Sequence, residues 1–109
     1  RGLTARDRGD WQEAIKQYTE TIKIDPKYTW AYINRGYAYG RLGDYSKTIA
    51  DFNQAIKLDP NYADAYNNRA EAYAKQRNYK EATQDARKAR ELGNGEALQY
   101  LSENKLIQD

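Results

Sequence analysis

Two asparagine–arginine pairs carry the chemistry that this sequence could perform. Asn34-Arg35 returns as Asn68-Arg69, 34 residues later. A carboxamide both donates and accepts hydrogen bonds, so Asn34 and Asn68 could pair with the backbone of a bound peptide whatever the peptide's sequence. The same side chains could instead bond the backbone of a neighbouring helix. We favour contact with a ligand, and the alternative stays open.

The two arginines predict a structural role. Asp51 follows Arg35 by 16 residues, and Asp85 follows Arg69 by the same distance. A charge near a protein core is costly unless it is paired. We therefore predict Arg35–Asp51 and Arg69–Asp85 ion pairs that join neighbouring helices.

Catalysis has little support in the composition. The chain has no Cys and no His, which removes thiolate ligands, the commonest metal ligand and the commonest general base. Ser46 and Ser102 therefore have no histidine partner, and no glycine-rich phosphate loop is present. Acidic pairs such as Asp59 with Asp64 are typical of helix caps and surface. We expect no enzyme activity, no cofactor and no metal.

The charge pattern does not favour nucleic acid or membrane partners. The net charge is +2, and acidic residues interrupt the basic stretch between Lys75 and Arg90, as on an ordinary solvated helix face. No apolar run is long enough to cross a bilayer. Because the chain begins with Arg1 and not with methionine, we expect a piece of a longer protein, with the cytoplasm as the default compartment.

The chain repeats itself with a period of 34 residues. Ile24–Tyr28 returns as Leu58–Tyr62, and Gly9-Asp10-Trp11 returns as Gly43-Asp44-Tyr45. A looser third copy retains part of this pattern: Tyr66, Arg69-Ala70, Tyr73, Asn78-Tyr79, Ala82 and Ala89. A fixed period of this length is typical of stacked supersecondary units, which bind partners far more often than they catalyse reactions.

Each copy is predicted to contain two antiparallel helices. The first helices are expected over 29–42 and 63–76, and apolar spacing predicts second helices that begin near Trp11, Tyr45 and Tyr79. Gly9 and Gly43 are predicted to end the first helices of their units in a conformation with positive φ. A capping helix is expected over 96–106, and its candidate inner residues are Leu98, Leu101 and Tyr100.

The pattern resembles the tetratricopeptide repeat, whose units carry large and small residues at fixed slots and end with a proline. In the middle unit these slots hold Tyr32, Arg35, Gly36, Tyr39, Thr48, Phe52, Ala55 and Pro60. In the third unit they hold Tyr66, Arg69, Ala70, Tyr73, Ala82, Ala86, Ala89 and Asn94. The resemblance implies an all-α, right-handed superhelical stack of antiparallel helix pairs. It divides the single domain 1–109 into a truncated repeat 1 at 1–28, repeat 2 at 29–62, repeat 3 at 63–95, and a capping helix and tail at 96–109.

Three slots depart from the family pattern. Arg35 and Arg69 stand where the family usually has leucine. Ala86 replaces a large aromatic residue, and we expect Leu101 or Tyr100 to fill the space. Arg77 replaces the glycine between two helices, so we expect a strained turn, or one remodelled around Asn78.

The resemblance also implies a ligand site. First helices of such stacks line a concave groove that takes an extended peptide. By position, the groove residues would be Trp30, Ile33, Asn34, Tyr37, Arg41, Asp64, Asn67, Asn68, Glu71 and Lys75, with Leu3, Arg6 and Asp7 from the truncated unit. Asn34 and Asn68 resemble the asparagine ladder of O-linked N-acetylglucosamine transferases. Trp30 fits a ligand contact or a packing residue at the start of its helix equally well.

The expected partner is a protein or peptide in extended conformation. Some family members clamp the terminal carboxylate of chaperone tails. Here Leu3, Asp64 and Asn68 stand at slots where such a clamp needs asparagine, lysine and arginine, so that function is disfavoured. A third alternative is self-association, as a homo-oligomer, through an end of the stack that the truncated unit leaves exposed.

Overall fold

The computed structural model describes residues 5–106, and this part of the chain contains six α-helices and no strand. The helices are α1 (Ala5–Ile24), α2 (Thr29–Arg41), α3 (Tyr45–Leu58), α4 (Ala63–Lys75), α5 (Tyr79–Glu91) and α6 (Glu96–Glu103). Each helix packs against the next, and α2 also contacts α4, as α4 does α6. The result is the predicted stack of helix pairs, with α2, α4 and α6 in one layer and α1, α3 and α5 in the other.

The turn between α2 and α3 forms as the sequence predicts. Gly43 has φ +84°, a conformation that is cheap only for glycine. The side chain of Asp44 then caps α3 by accepting a hydrogen bond from the backbone N–H of Lys47 at 3.3 Å. The prediction of a strained turn in the third unit is also confirmed, because Arg77 adopts φ +64° without being a glycine.

The prediction of a turn at Gly9 is wrong. α1 runs without interruption from Ala5 to Ile24, so Gly9 and Asp10 lie within the helix. The residues before Gly9 do not pack back on α1 as α2 packs on α3, and a helix without such a partner gains nothing by turning. The capping helix also differs slightly from its prediction: it ends at Glu103, where Lys105 takes φ +57° and the N–H of Leu106 bonds the carbonyl of Leu101.

Two apolar clusters form the core. The first joins α2, α3 and α4 and consists of Tyr32, Ile33, Phe52, Ala55 and Ala65. The second joins α4, α5 and α6 and consists of Ala70, Ala82, Ala86, Ala97, Leu98 and Leu101. Leu101 is 1% exposed in the cluster that contains Ala86, which confirms it as the residue that fills this space. Tyr100 is 49% exposed, so its candidacy was wrong.

Both predicted ion pairs are confirmed. Arg35 donates from Nε and Nη2 to the two carboxylate oxygens of Asp51 at 2.9 and 2.7 Å. Arg69 bonds Asp85 in the same bidentate manner at 2.6 and 2.7 Å. These hydrogen bonds raise the pKa of each arginine above its ordinary value, against the opposing effect of burial.

Each arginine also reaches a third helix, which the sequence analysis missed. Arg35 Nη1 donates to Thr19 Oγ1 on α1 at 3.2 Å, and Arg69 Nη1 donates to Asn53 Oδ1 on α3 at 2.7 Å. Thr19 and Asn53 are 34 residues apart, so the contact repeats with the fold. Each guanidinium therefore ties three helices together, and the stack is braced between units as well as within them.

Candidate functional site: the groove between α2 and α4

A solvent-open groove of about 570 Å³ lies between the C-terminal halves of α2 and α4. The α2–α3 turn and one side of α3 close it below, and Arg8 of α1 reaches it from the end of the stack. Its lining consists of Arg8, Gly36, Tyr37, Gly40, Arg41, Leu42, Gly43, Tyr45, Thr48, Phe52, Asn68, Glu71, Ala72 and Lys75.

Half of the ten predicted groove residues lie in this lining: Tyr37, Arg41, Asn68, Glu71 and Lys75. Trp30, Asn34 and Asp64 are exposed but lie outside it. Ile33 and Asn67 are buried, 7% and 3% exposed, and are removed from the candidate site. Leu3 lies outside the described residues, as do the side chains of Arg6 and Asp7.

Asn67 is buried because α6 packs beside it. Its Oδ1 accepts a hydrogen bond from the backbone N–H of Ala97 at 2.8 Å, which satisfies a donor in the first turn of α6. Asp64 is engaged nearby, since its Oδ1 accepts from Asn94 Nδ2 at 2.8 Å. In the third unit these two positions therefore hold the capping helix in place and are not left for a ligand.

The carboxamides of Asn34 and Asn68 behave differently from that of Asn67. Within residues 5–106, neither makes a hydrogen bond. Asn34 is exposed and Asn68 is half-buried in the groove wall. The alternative in which they bond a neighbouring helix has no support here, and their donors and acceptors are left for water or a ligand.

Aromatic side chains form one wall of the groove. Tyr37 is 50% exposed, and its ring meets Trp11 edge-on with 5.8 Å between centroids. The guanidinium carbon of Arg41 lies 5.8 Å from the Trp11 centroid, within the range of a cation–π contact. Trp11 thus supports Tyr37 and Arg41 from behind, so both are held at the groove by packing.

Trp30 belongs to a different surface. Its ring contacts Tyr18 edge-on at 6.1 Å and Tyr28 at 5.5 Å, near the junction of α1 and α2. Packing at the start of the helix accounts for these contacts. The side chain still keeps about half of its surface exposed.

The groove is predominantly positive. Arg8, Arg41 and Lys75 contribute three cations to the lining, and Glu71 contributes one carboxylate. Burial by the groove walls is the largest cause that raises the pKa of Glu71, and repulsion by Glu96 adds to it, while Lys75 opposes both. The Glu71 side chain is nevertheless in contact with solvent, so the effect on its charge is moderate.

Sequence reasoning missed Arg8 and the residues that close the groove below. Arg8 reaches the lining because α1 continues through Gly9, which local sequence signals do not predict. Gly36 is needed where α2 approaches α3, since a Cβ there would lie 3.2 Å from the Asp51 Cβ and 3.3 Å from the Phe52 ring. The 34-residue copy gave that close approach a signal, in the pairing of Gly36 with Ala70.

Residues 5–106 contain no group of three acidic, histidine or cysteine side chains placed to hold a metal ion. None of their helices has both the length and the apolar character that a membrane span requires.

Comparison with protein families identifies the class of this molecule. A TPR repeat model matches residues 2–43, and two tetratricopeptide repeat models match residues 29–62 and 52–84. The chain belongs to the tetratricopeptide repeat family, whose members are generally non-catalytic modules of protein interaction. No curated protein matches the chain.

Solved structures of tetratricopeptide domains resemble this fold closely. The first TPR of Spaghetti (RPAP3), bound to the HSP90 peptide SRMEEVD, is 33% identical; the match covers 87% of this chain and 77% of that one, with a TM-score of 0.82. The second TPR domain of human RPAP3, in complex with the HSP70 peptide SGPTIEEVD, is 32% identical over 93% and 84% of the two chains, with a TM-score of 0.82. The Arabidopsis OM64 TPR domain is 31% identical over 90% and 81%, again with a TM-score of 0.82.

Proposed function

We propose that the groove between α2 and α4 binds an extended, acidic segment of a partner protein and carries out no chemistry on it. One observation carries the proposal: Arg8, Arg41 and Lys75 converge on a single open groove that holds one carboxylate, Glu71. A concave surface with one predominant charge attracts segments of opposite charge. An anionic segment gains the most from this arrangement.

Hydrogen bonds and apolar contact would position the segment. The carboxamide of Asn68 lies in the groove wall, and that of Asn34 lies one repeat away on α2, where each can pair with a peptide bond. Tyr37 offers an exposed ring that is already fixed by Trp11, so little side-chain entropy is lost on binding. The bound HSP90 and HSP70 peptides of the related domains support this mode of binding.

A chaperone-tail module is the second candidate, favoured by those same two complexes. The residues speak for a more general specificity. Asp64 and Asn68 stand where the clamp needs lysine and arginine, and Asp64 is already bonded to Asn94. The three groove cations come from other positions, so they can attract acidic side chains without recognising a terminal carboxylate.

Fluorescence anisotropy with labelled SRMEEVD, a peptide of net negative charge, tests both candidates. We expect binding that weakens at high salt, and a loss of roughly tenfold or more in the Arg41→Ala/Lys75→Ala variant. Lys80→Ala, which removes an exposed cation that does not line the groove, is the matched control and should bind as the parent does. The neutral analogue SRMQQVN should bind much more weakly.

The competing outcomes are distinct. If amidation of the peptide's C-terminus abolishes binding, the chaperone-tail candidate replaces the general one. Equal binding of the acidic and neutral peptides, or equal losses in the groove variant and in Lys80→Ala, would overturn the proposal. Absence of binding together with a molecular mass that grows with concentration would favour self-association instead.

A further inference from the structure

One tripeptide occurs twice in this chain and adopts two different structures. At Gly43-Asp44-Tyr45 the chain reverses, with Gly43 at φ +84° and Asp44 capping α3. At Gly9-Asp10-Trp11 the same signals lie unused within α1. A Cβ on Gly9 would meet nothing within 4 Å, so the straight helix does not need a glycine there. Glycine is also a poor helix former, so its place in mid-helix weakens α1.

The straight form leaves one face of α1 open. In α3 the face that packs on α2 is fully buried and consists of Thr48, Asp51, Phe52 and Ala55. The residues 34 positions earlier are Ala14, Gln17, Tyr18 and Thr21, of which Gln17 is exposed and the others are half-buried. α1 therefore has the shape of a second helix whose first helix is not packed against it.

Two missing contacts explain why the straight form prevails. α2 is held on α3 by the hydrogen bond from Thr48 Oγ1 to the Gly36 carbonyl at 3.0 Å and by the Arg35–Asp51 ion pair. Arg1-Gly2 repeats Arg35-Gly36, so one side of each contact is present in the first unit. Ala14 and Gln17 stand in place of Thr48 and Asp51, so the other side is lost.

We propose that the segment before Gly9 is a conformational switch: it either continues α1, as in the structure, or turns at Gly9-Asp10 and docks on the Ala14–Gln17–Tyr18 face of α1. The occupant of that face is thus residues 1–8 of the chain itself. The fold-back would reorient Arg8, one of the three cations of the groove. The two forms therefore present different charge to a ligand, and an acidic ligand that contacts Arg8 stabilises the straight form.

The chain offers a direct test, because it contains no cysteine and accepts a labelled pair cleanly. Nitroxide labels at Ala5→Cys and Glu20→Cys are separated by 15 residues, which is about 22 Å along a straight helix. Folding back at Gly9 brings the same positions to about 12 Å, given antiparallel helices in contact. Dipolar electron paramagnetic resonance separates the two distances.

Ala14→Thr/Gln17→Asp restores the missing partners and should increase the short-distance population about tenfold relative to the parent sequence. Gln17→Asp alone changes an exposed residue only, so it leaves the fold intact and should still produce a measurable short-distance population. If both variants keep the long distance alone, the proposal is overturned.

Gly9→Ala in the double-variant background locates the turn. Alanine resists positive φ, so the long distance should return. Gly43→Ala is the matched control: it should destabilise the established α2–α3 turn without restoring the long distance. A short distance that survives Gly9→Ala would place the bend elsewhere and contradict the proposal.

Discussion

The middle and third repeats have the same skeleton but use it differently. Each is braced by a bidentate arginine–aspartate pair, with hydrogen bonds between 2.6 and 2.9 Å. Beside the middle repeat, the space between α2 and α4 stays open as the groove. Beside the third, α6 lies against α4 and α5, and Leu98 and Leu101 are buried there.

Equivalent positions consequently do different work. Phe52 fills the middle repeat by itself, whereas Ala86 leaves space that α6 fills with Leu101. The second aromatic layer has thus been replaced by a capping helix. A position in this fold has no fixed function, because the next helix along the stack decides whether it faces core or ligand.

The brace predicts the largest effect. Asp51→Ala leaves the Arg35 guanidinium without its buried partner, and we expect a loss of about 3–5 kcal/mol in the free energy of unfolding. Asp85→Ala should cost a similar amount, since its geometry is the same. Urea unfolding followed by circular dichroism measures both. A loss below about 1 kcal/mol in either variant would mean that the pair does not stabilise that repeat.

The capping helix predicts the next effect. Leu101→Ala should destabilise the protein by about 2–4 kcal/mol, because it opens a cavity beside Ala86 that no other side chain fills. Adding Ala86→Phe to this variant should recover part of the loss, since it restores the aromatic residue of the middle repeat. Ala86→Phe alone should destabilise by overpacking. If the double variant is no more stable than Leu101→Ala, Leu101 does not substitute for the missing ring.

Glu71 predicts the smallest effect, with a defined pH dependence. Its pKa is raised in the folded state, so folding favours the protonated form and the charged form costs stability. Glu71→Gln should therefore raise Tm slightly at pH 7, by an amount that solvent exposure keeps small. The gain should vanish below the ordinary value of 4.5, where the carboxyl is protonated in both states. Thermal unfolding at pH 7 and pH 4 checks this, with Glu81→Gln on exposed α5 as the control.

Much of the fold was predictable because its signals are local and repeated. The 34-residue period, the glycine at position 43 and the 16-residue spacing of arginine and aspartate each specify a contact within one unit. The α1 helix was not predictable in this way. Gly9-Asp10 carries the local signals for a turn, but the contacts that would hold the turned form are missing at Ala14 and Gln17.

The site was less predictable than the fold, since it depends on neighbouring units. Asn67 and Asn68 are adjacent in sequence and looked equally suited to a ligand. Only the position of α6 shows that Asn67 bonds the Ala97 backbone while Asn68 stays open. Arg8 was missed for a related reason, because it reaches the groove only on a straight α1.

The most direct test of the groove is a ¹⁵N-resolved NMR titration with the acidic peptide SRMEEVD. If the groove binds it, shifts should concentrate at Tyr37, Arg41, Asn68 and Lys75, and the Asn67 side chain behind α6 should barely move. Shifts centred instead on Ile24, Tyr28 and Trp30, at the other exposed apolar surface, would place binding outside the groove and contradict the account.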